Sequence, residues 1–94
     1  MTDLQCPARA VLLAIDAVTP SWMDRLRIAA RFELSADEDV AAFVDATADE
    51  FRGEDFVVVA ATASLAEALG LHGIRHEPPV AIGVDADGWS ILVP

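Results

Sequence analysis

The chain alternates short, almost purely apolar runs with segments in which polar and apolar residues are mixed. Two of the runs, Val11–Ile15 and Phe56–Ala61, contain no charged residue. An unbroken apolar run of this length is typical of a strand that is covered on both faces, as in the middle of an α/β sheet. We therefore expect two strands here, lying as parallel neighbours joined by a right-handed crossover.

Two helices are predicted between these strands. Thr19–Pro20 combines an N-cap residue with a first-turn proline and predicts a helix that ends near Phe32. Ser35 and Glu38 form the S-x-x-E capping-box pattern at the head of the second helix. Its apolar positions recur at 3.6-residue spacing, and they are Val40, Phe43, Val44, Thr47, Ala48 and Phe51.

A third, shorter helix is predicted after the second strand. Gly53 stands where a residue of positive φ ends the preceding helix. Ser64 with Glu67 repeats the capping-box pattern and predicts a helix over Leu65–Leu69 that Gly70 ends.

The last part of the chain predicts a β-hairpin. Val80–Val84 and Trp89–Val93 flank Asp85–Gly88, in which Asp-Gly supplies the positive φ of a short turn. The element order is then β-α-α-β-α-β-β, which predicts one small α/β domain over residues 1–94 with a mixed sheet. The last strand carries no charge and no interior proline, so at a sheet edge it is free to pair with a second copy of the chain as a homodimer.

Composition limits the classes of partner. Sixteen acidic residues face six basic ones, all arginine, for a net charge of −10. Nucleic-acid binding draws its affinity from Lys and Arg on phosphates, so this balance disfavours DNA, RNA and anionic lipid. The acids form either a solvated surface that aids solubility or a docking surface for a basic partner.

The same composition indicates a cytoplasmic protein. Its apolar runs are much shorter than the ~20 residues that span a bilayer, so no membrane anchor is expected. The start Met1–Leu4 lacks the basic and then apolar pattern of a secretion signal. The single cysteine, Cys6, has no second cysteine with which to form a disulfide within the chain.

The element order resembles that of the thioredoxin-like superfamily, which has strand, helix, strand, helix and then an antiparallel hairpin entered through a proline. Leu65–Leu69 is similar to the family's second core helix, and Gly73–Pro78 resembles its G-[VI]-x-x-x-P run. The resemblance implies that Pro78 follows a cis peptide bond and faces the family's redox motif. At the place of that C-x-x-C motif the chain has Val18–Ser21, without a thiol. Dithiol exchange needs two thiols, so the redox activity of the family is excluded.

The turn after the first strand is the place where a binding site is expected, because α/β sheets bind ligands at the carboxyl ends of their strands. Thr19, Ser21 and Trp22 lie there, and Pro78 joins them if the resemblance holds. The other interpretation of Thr19 and Ser21 is plain helix capping. Cys6 is a candidate redox thiol, although only Arg9 is near it in sequence to lower its pKa.

Three acidic or histidine patterns resemble metal or catalytic sites. His72 and His76, four residues apart, suggest a metal edge, but the flanking glycine and prolines favour a polar loop. Asp85–Gly88 mimics the start of a calcium loop and lacks the later bidentate acid. Asp45 and Asp49, one helical turn apart, could pair as acid and base, yet fit a solvated helix face. No metal or cofactor is therefore expected.

These observations favour a non-enzymatic module that docks a protein partner or associates with itself. The alternative is a small enzyme or redox sensor that uses Cys6 or the Thr19–Trp22 turn. The two are separated by the Cys6→Ser variant, since function that is unchanged under oxidant removes the redox option.

The net charge leads to a prediction about salt. Self-repulsion among the acids should destabilise the fold in dilute buffer, and 0.1 M salt, with its Debye length of ~10 Å, should relieve it. The melting temperature should therefore rise from very low to moderate ionic strength, as measured by circular dichroism. A flat or falling curve would mean that the acids are compensated locally.

Overall fold

A five-stranded mixed sheet forms the middle of the molecule, and two α-helices pack on it. The computed structural model describes residues 8–85 and 88–92 of the chain. The strands are β1 (Ala8–Ala14), β2 (Ile28–Glu33), β3 (Asp55–Ala60), β4 (Val80–Asp85) and β5 (Gly88–Leu92). The helices are α1 (Val40–Glu50), α2 (Thr62–Leu71) and a short 3-10 helix (Ser21–Arg25). The predicted α/β class is confirmed.

The strand order across the sheet is β2-β3-β1-β4-β5. As predicted, β1 and β3 are parallel neighbours, and Val11 lies opposite Val57. β2 runs parallel to β3 on its outer side, and β4 runs antiparallel to β1. β5 pairs antiparallel with β4, which makes β2 and β5 the two edge strands.

Both α-helices pack on one face of the sheet, called here the helix face. Leu12, Phe56 and Ile82 project from three strands onto this face and have 0 % exposure. Val44 of α1 and Leu65 of α2 cover them and are equally buried. The apolar stripe predicted for α1 is confirmed, since every one of its residues is buried or half-buried: Val40, Phe43, Val44, Thr47, Ala48 and Phe51.

The opposite face of the sheet, called here the second face, is covered by the connection from β1 to β2. Met23 of the 3-10 helix is buried against this face, and the half-buried Trp22 and Leu26 pack beside it. The connection from β2 back to β3 runs through α1 on the helix face. Successive crossovers that move in opposite directions lie on opposite faces when both have the same hand. The buried residues of the second face are Val11, Leu13, Val57, Val59 and Ala81.

The prediction of a helix from Thr19 to about Phe32 was wrong. The chain forms five residues of 3-10 helix and then β2, so a strand replaces the second half of the expected helix. The ring of Phe32 meets three other rings at centroid distances of 5.1, 6.1 and 6.3 Å, those of Phe43, Phe51 and Phe56. This aromatic packing with distant residues overrides the helix propensity of the alanines and arginines around it.

A β-bulge near the start of β2 changes the face to which its side chains turn. Ile28 pairs with Asp55 and packs on the second face, whereas Ala30 pairs with the next residue of β3 and packs on the helix face. One extra residue between them moves the side chains from one face to the other.

Only one of the two bonds of the capping box at Ser35 forms, and α1 begins later than predicted. The Ser35 backbone N–H donates to Glu38 Oε1 at 2.9 Å. The Ser35 hydroxyl, 2.8 Å from Asp37 Oδ1, holds the pKa of Asp37 below its usual range. These bonds close a turn, and the helix follows it from Val40. Asp39 is the actual N-cap and accepts the N–H three residues further on at 3.1 Å.

The second α-helix is longer than the predicted Leu65–Leu69. It starts two residues before Ser64, and its N-cap, Ala61, makes no side-chain capping bond. Gly70 lies inside the helix, and the positive φ that follows the helix is at Gly73, with φ 72°. The positive φ expected at Gly53 is confirmed, at 78°.

The C-terminal hairpin is confirmed by pairing of Asp85 with Gly88, whose φ is 124°. Val80, Ile82 and Val84 all point to the helix face. Ala86 and Asp87 of the turn and Val93 and Pro94 beyond β5 lie outside the described residues, so the last strand is described to Leu92.

The aromatic cluster around Phe32 gives a test of the strand β2. We expect Phe32→Ala to lower the free energy of unfolding by about 2–3 kcal/mol, because three ring contacts are lost. Arg31→Ala on the exposed side of the same strand should change it by about 0.5 kcal/mol or less. Urea unfolding of both variants measures the difference. Equal losses would contradict the alternation of faces in β2.

Candidate functional site

The turn singled out by the sequence lies at the carboxyl edge of the sheet, where β1, β2 and β3 end. Thr19 and Ser21 are exposed there, and Trp22 is half-buried against the second face. Thr19 does not cap a helix, because the 3-10 helix has Pro20 at its N-cap position and no side-chain capping bond. Val18 beside it is 88 % exposed. Ile15, directly after β1, is 63 % exposed, so the turn presents hydroxyl groups and two exposed apolar side chains.

Pro78 reaches the same edge of the sheet. It lies two residues before β4, whose first residue, Val80, is opposite Leu12 near the end of β1. The cis bond expected between Glu77 and Pro78 is not found, since the cis peptide in this segment joins Pro78 and Pro79. Both prolines are half-buried.

The remaining candidates that the structure describes do not come together as a site. Cys6 lies outside the described residues. In the parts of the chain that the structure describes, no group of three or more His, Cys, Asp or Glu side chains could hold a metal ion. His76 is exposed in the loop before β4, and His72 is used in a stacking contact instead.

Trp89 of β5 is the centre of a polar contact that joins three elements. Its indole N–H donates to Asp45 Oδ1 of α1 at 2.7 Å. The ring of His72, the residue that follows α2, stacks on the indole with 4.0 Å between centroids and an angle of 9°. A hydrogen bond to a carboxylate is shorter and stronger than one between neutral groups. β5 is therefore fixed to both helices through one side chain, which is 9 % exposed.

A shallow depression of about 450 Å³ lies beside this contact. Asp49 lines it and pairs with Arg52 at 2.8 Å. Asp45 and Asp49 are both exposed, as the interpretation of a solvated helix face predicted. Asp45 and His72 are engaged with the indole, so the arrangement holds β5 in place rather than presenting an acid and a base to a substrate.

The outer edge of β5 carries backbone groups that no described residue pairs with. β5 pairs with β4 on one side, and no other backbone hydrogen bond to it is formed by the described residues. None of its residues is charged, and Ser90 and Leu92 are exposed on the second-face side. An edge strand offers a row of free N–H and C=O groups to another strand.

The edge strand β2, at the other side of the sheet, differs from β5. Arg31 and Glu33 alternate along it on the exposed side, and the bulge at its start interrupts the regular ladder. Charges and bulges are the features by which natural sheets block pairing at an edge. Of the two edges, β5 is thus the one suited to pairing with another chain.

Sequence reasoning identified the β5 edge but missed its anchor. Trp89 and Asp45 are 44 residues apart, and no local pattern connects them. The one available signal was the tryptophan in the last strand, because a buried indole N–H needs a hydrogen-bond acceptor. The acids on the outer side of α1 could supply one.

Comparison of the chain with models of known protein families, with curated proteins and with solved structures finds no match. Within the described residues, no helix has the length and apolar character needed to cross a membrane.

The Trp89 contact gives a prediction about α1. Asp45→Ala should lower the free energy of unfolding by about 1–2 kcal/mol and shift the Trp89 indole N–H resonance upfield, because the carboxylate acceptor is lost. Asp49→Ala removes the same charge one turn away, from an exposed ion pair, and should cost about 0.5 kcal/mol or less. An unchanged indole resonance in Asp45→Ala would contradict the contact.

Proposed function

We propose that this protein is a non-enzymatic cytoplasmic interaction module that associates with a second copy of itself through β5. The observation that carries the proposal is the uncharged edge strand β5, whose outer backbone groups make no hydrogen bond with any described residue. Adding a strand to such an edge is a common mode of protein recognition, in which main-chain hydrogen bonds supply affinity and alternate side chains supply specificity.

The side chains of β5 suit antiparallel pairing about a twofold axis at Ser90. In that register Trp89 of one copy stands opposite Ile91 of the other on the helix face. Each of these residues pairs with a helix-face residue of β4, so the two lie on the same side of the sheet. Aromatic and β-branched residues make favourable cross-strand pairs. Ser90 meets its own symmetry mate, and the two five-stranded sheets become one.

A second copy is favoured over an unrelated strand because the same patch serves both partners, as a twofold interface requires. Net charge opposes the association, since each copy carries −10. The dimer is therefore weak in dilute buffer and tighter at moderate salt, where the repulsion is screened. The fixed position of Trp89 supports the pairing, because an edge strand that is held in place loses less entropy on binding.

We also propose a thioredoxin-like core for the domain. The parallel pair β1 and β3 and the antiparallel hairpin β4 and β5 support it, together with the prolines that lead into β4. β2 is an additional strand beyond the family's order of strand, helix, strand, helix and hairpin. Without the two thiols of the family motif, such a domain would act by binding.

The test is the oligomeric state of variants at Ser90, measured by sedimentation at about 0.15–0.3 M salt. The wild-type chain should show a dimer that grows with protein concentration. Ser90→Lys should be monomeric, because two like charges then face each other at the axis. Ser90→Glu alone should also be monomeric, and an equimolar mixture of the two variants should restore the dimer.

Two controls accompany this experiment. Ala29→Lys adds the same charge to the exposed side of β2 and should leave the dimer unchanged. Cys6→Ser should dimerise like the wild type, which separates strand pairing from an intermolecular disulfide. A wild-type chain that stays monomeric at hundreds of micromolar, or a Ser90→Lys variant that dimerises normally, would refute the proposal.

A further inference from the structure

Three of the six arginines of this acidic chain line one depression. They are Arg9, Arg25 and Arg27, and the depression has a volume of about 490 Å³. Gly53, Glu54 and Asp55 also line it, so the arginines of the lining outnumber its carboxylates by three to two. Half of the positive charge of the chain therefore lies in one small part of its surface.

The fold brings these arginines together at the amino edge of the sheet, where the three parallel strands begin. Arg9 on β1 is opposite Asp55 on β3, and Asp55 is also the partner of the first residue of β2. Arg27 immediately precedes β2, and Arg25 ends the 3-10 helix that crosses the second face. The crossover from β1 to β2 thus places Arg25 and Arg27 beside Arg9, which is distant from them in sequence.

The three arginines differ in their pairing. Arg9 Nε lies 3.5 Å from Asp55 Oδ1, so this guanidinium is partly neutralised and held in position. Arg25 and Arg27 are exposed and make no ion pair with any residue that the structure describes. Among the described residues, two guanidinium groups thus have no ion-pair partner, although the chain has a large excess of carboxylates.

We propose that this depression binds the phosphate group of a phosphate monoester. A guanidinium offers parallel N–H donors that match two oxygens of an oxyanion. A monoester carries about two negative charges and three terminal oxygens, enough to accept paired hydrogen bonds from two guanidinium groups. A single carboxylate carries one charge and two oxygens, so it can accept paired hydrogen bonds from only one guanidinium group. A polyanion such as nucleic acid would be repelled by the net charge of −10, which favours a compact ligand.

This site is independent of the proposed self-association. β2, beside the depression, and β5, which forms the proposed interface, are at opposite edges of the sheet. A variant that loses phosphate binding should therefore still self-associate, and a monomeric variant should still bind phosphate. Each proposal can thus be refuted without the other.

Binding is measured by NMR titration of the whole chain with inorganic phosphate and with phenyl phosphate, at constant ionic strength set with chloride. We expect saturable shifts at Arg9, Asp55 and the arginine side chains, with acetate at least tenfold weaker. The double variant Arg25→Gln/Arg27→Gln should bind at least tenfold more weakly. Arg31→Gln on the exposed side of β2, outside the depression, should bind like the wild type. Thermal unfolding confirms that each variant is folded.

Phosphate shifts that persist in the double variant, or that acetate reproduces at equal concentration, overturn the proposal. Comparing free phosphoserine with a phosphoserine peptide then identifies the source of the group. Equal affinities support a small phosphorylated molecule, and a peptide that binds more tightly supports a phosphorylated protein segment.

Discussion

The parallel pairing of β1 with β3 is the interaction on which the rest of this structure depends. Both strands are apolar on both sides, with Leu12 and Val58 on the helix face and Val11 and Val57 on the second face, all of them 0–1 % exposed. The hydrogen bonds between the strands satisfy their backbone N–H and C=O groups. Each apolar face of the sheet must then be buried by other parts of the chain. The two α-helices cover one face, and the crossover with Met23 covers the other. The remaining strands are placed by this requirement, because β2 and β4 complete the ladders on the outer sides.

The two edge strands of the sheet differ in whether their outer sides are blocked against pairing with another chain. β2 carries Arg31 and Glu33 on its exposed side and is bulged where it begins, so its regular ladder is short. β5 has neither feature and is tied to the helices through Trp89. A rigid, uncharged edge is costly for a protein that must stay monomeric, since it invites pairing. It is useful for one that associates.

Charge is unevenly distributed over the fold, and the net value conceals this. The outer side of α1 exposes Asp45, Asp49 and Glu50, while three arginines meet at the amino edge near the second face. The net charge of −10 makes polyanions poor partners as a whole. At short range the exposed guanidinium groups of Arg25 and Arg27, which make no ion pair with a described residue, form a local positive region within this negative surface.

The sequence by itself determined the features that depend on neighbouring residues. The two doubly buried strands, the apolar stripe of α1 and the hairpin closed at Gly88 follow from local runs, a 3.6-residue period and turn chemistry. The features that depend on contacts between residues distant in sequence were decided only by the tertiary structure. Phe32 lies in a strand because the rings of Phe43, Phe51 and Phe56 draw it to the helix face, although its own segment favours a helix. Trp89 finds its acceptor 44 residues away, and the arginines meet only where parallel strands start together. Such contacts leave no periodic trace in the chain, because their geometry exists only once the sheet has formed.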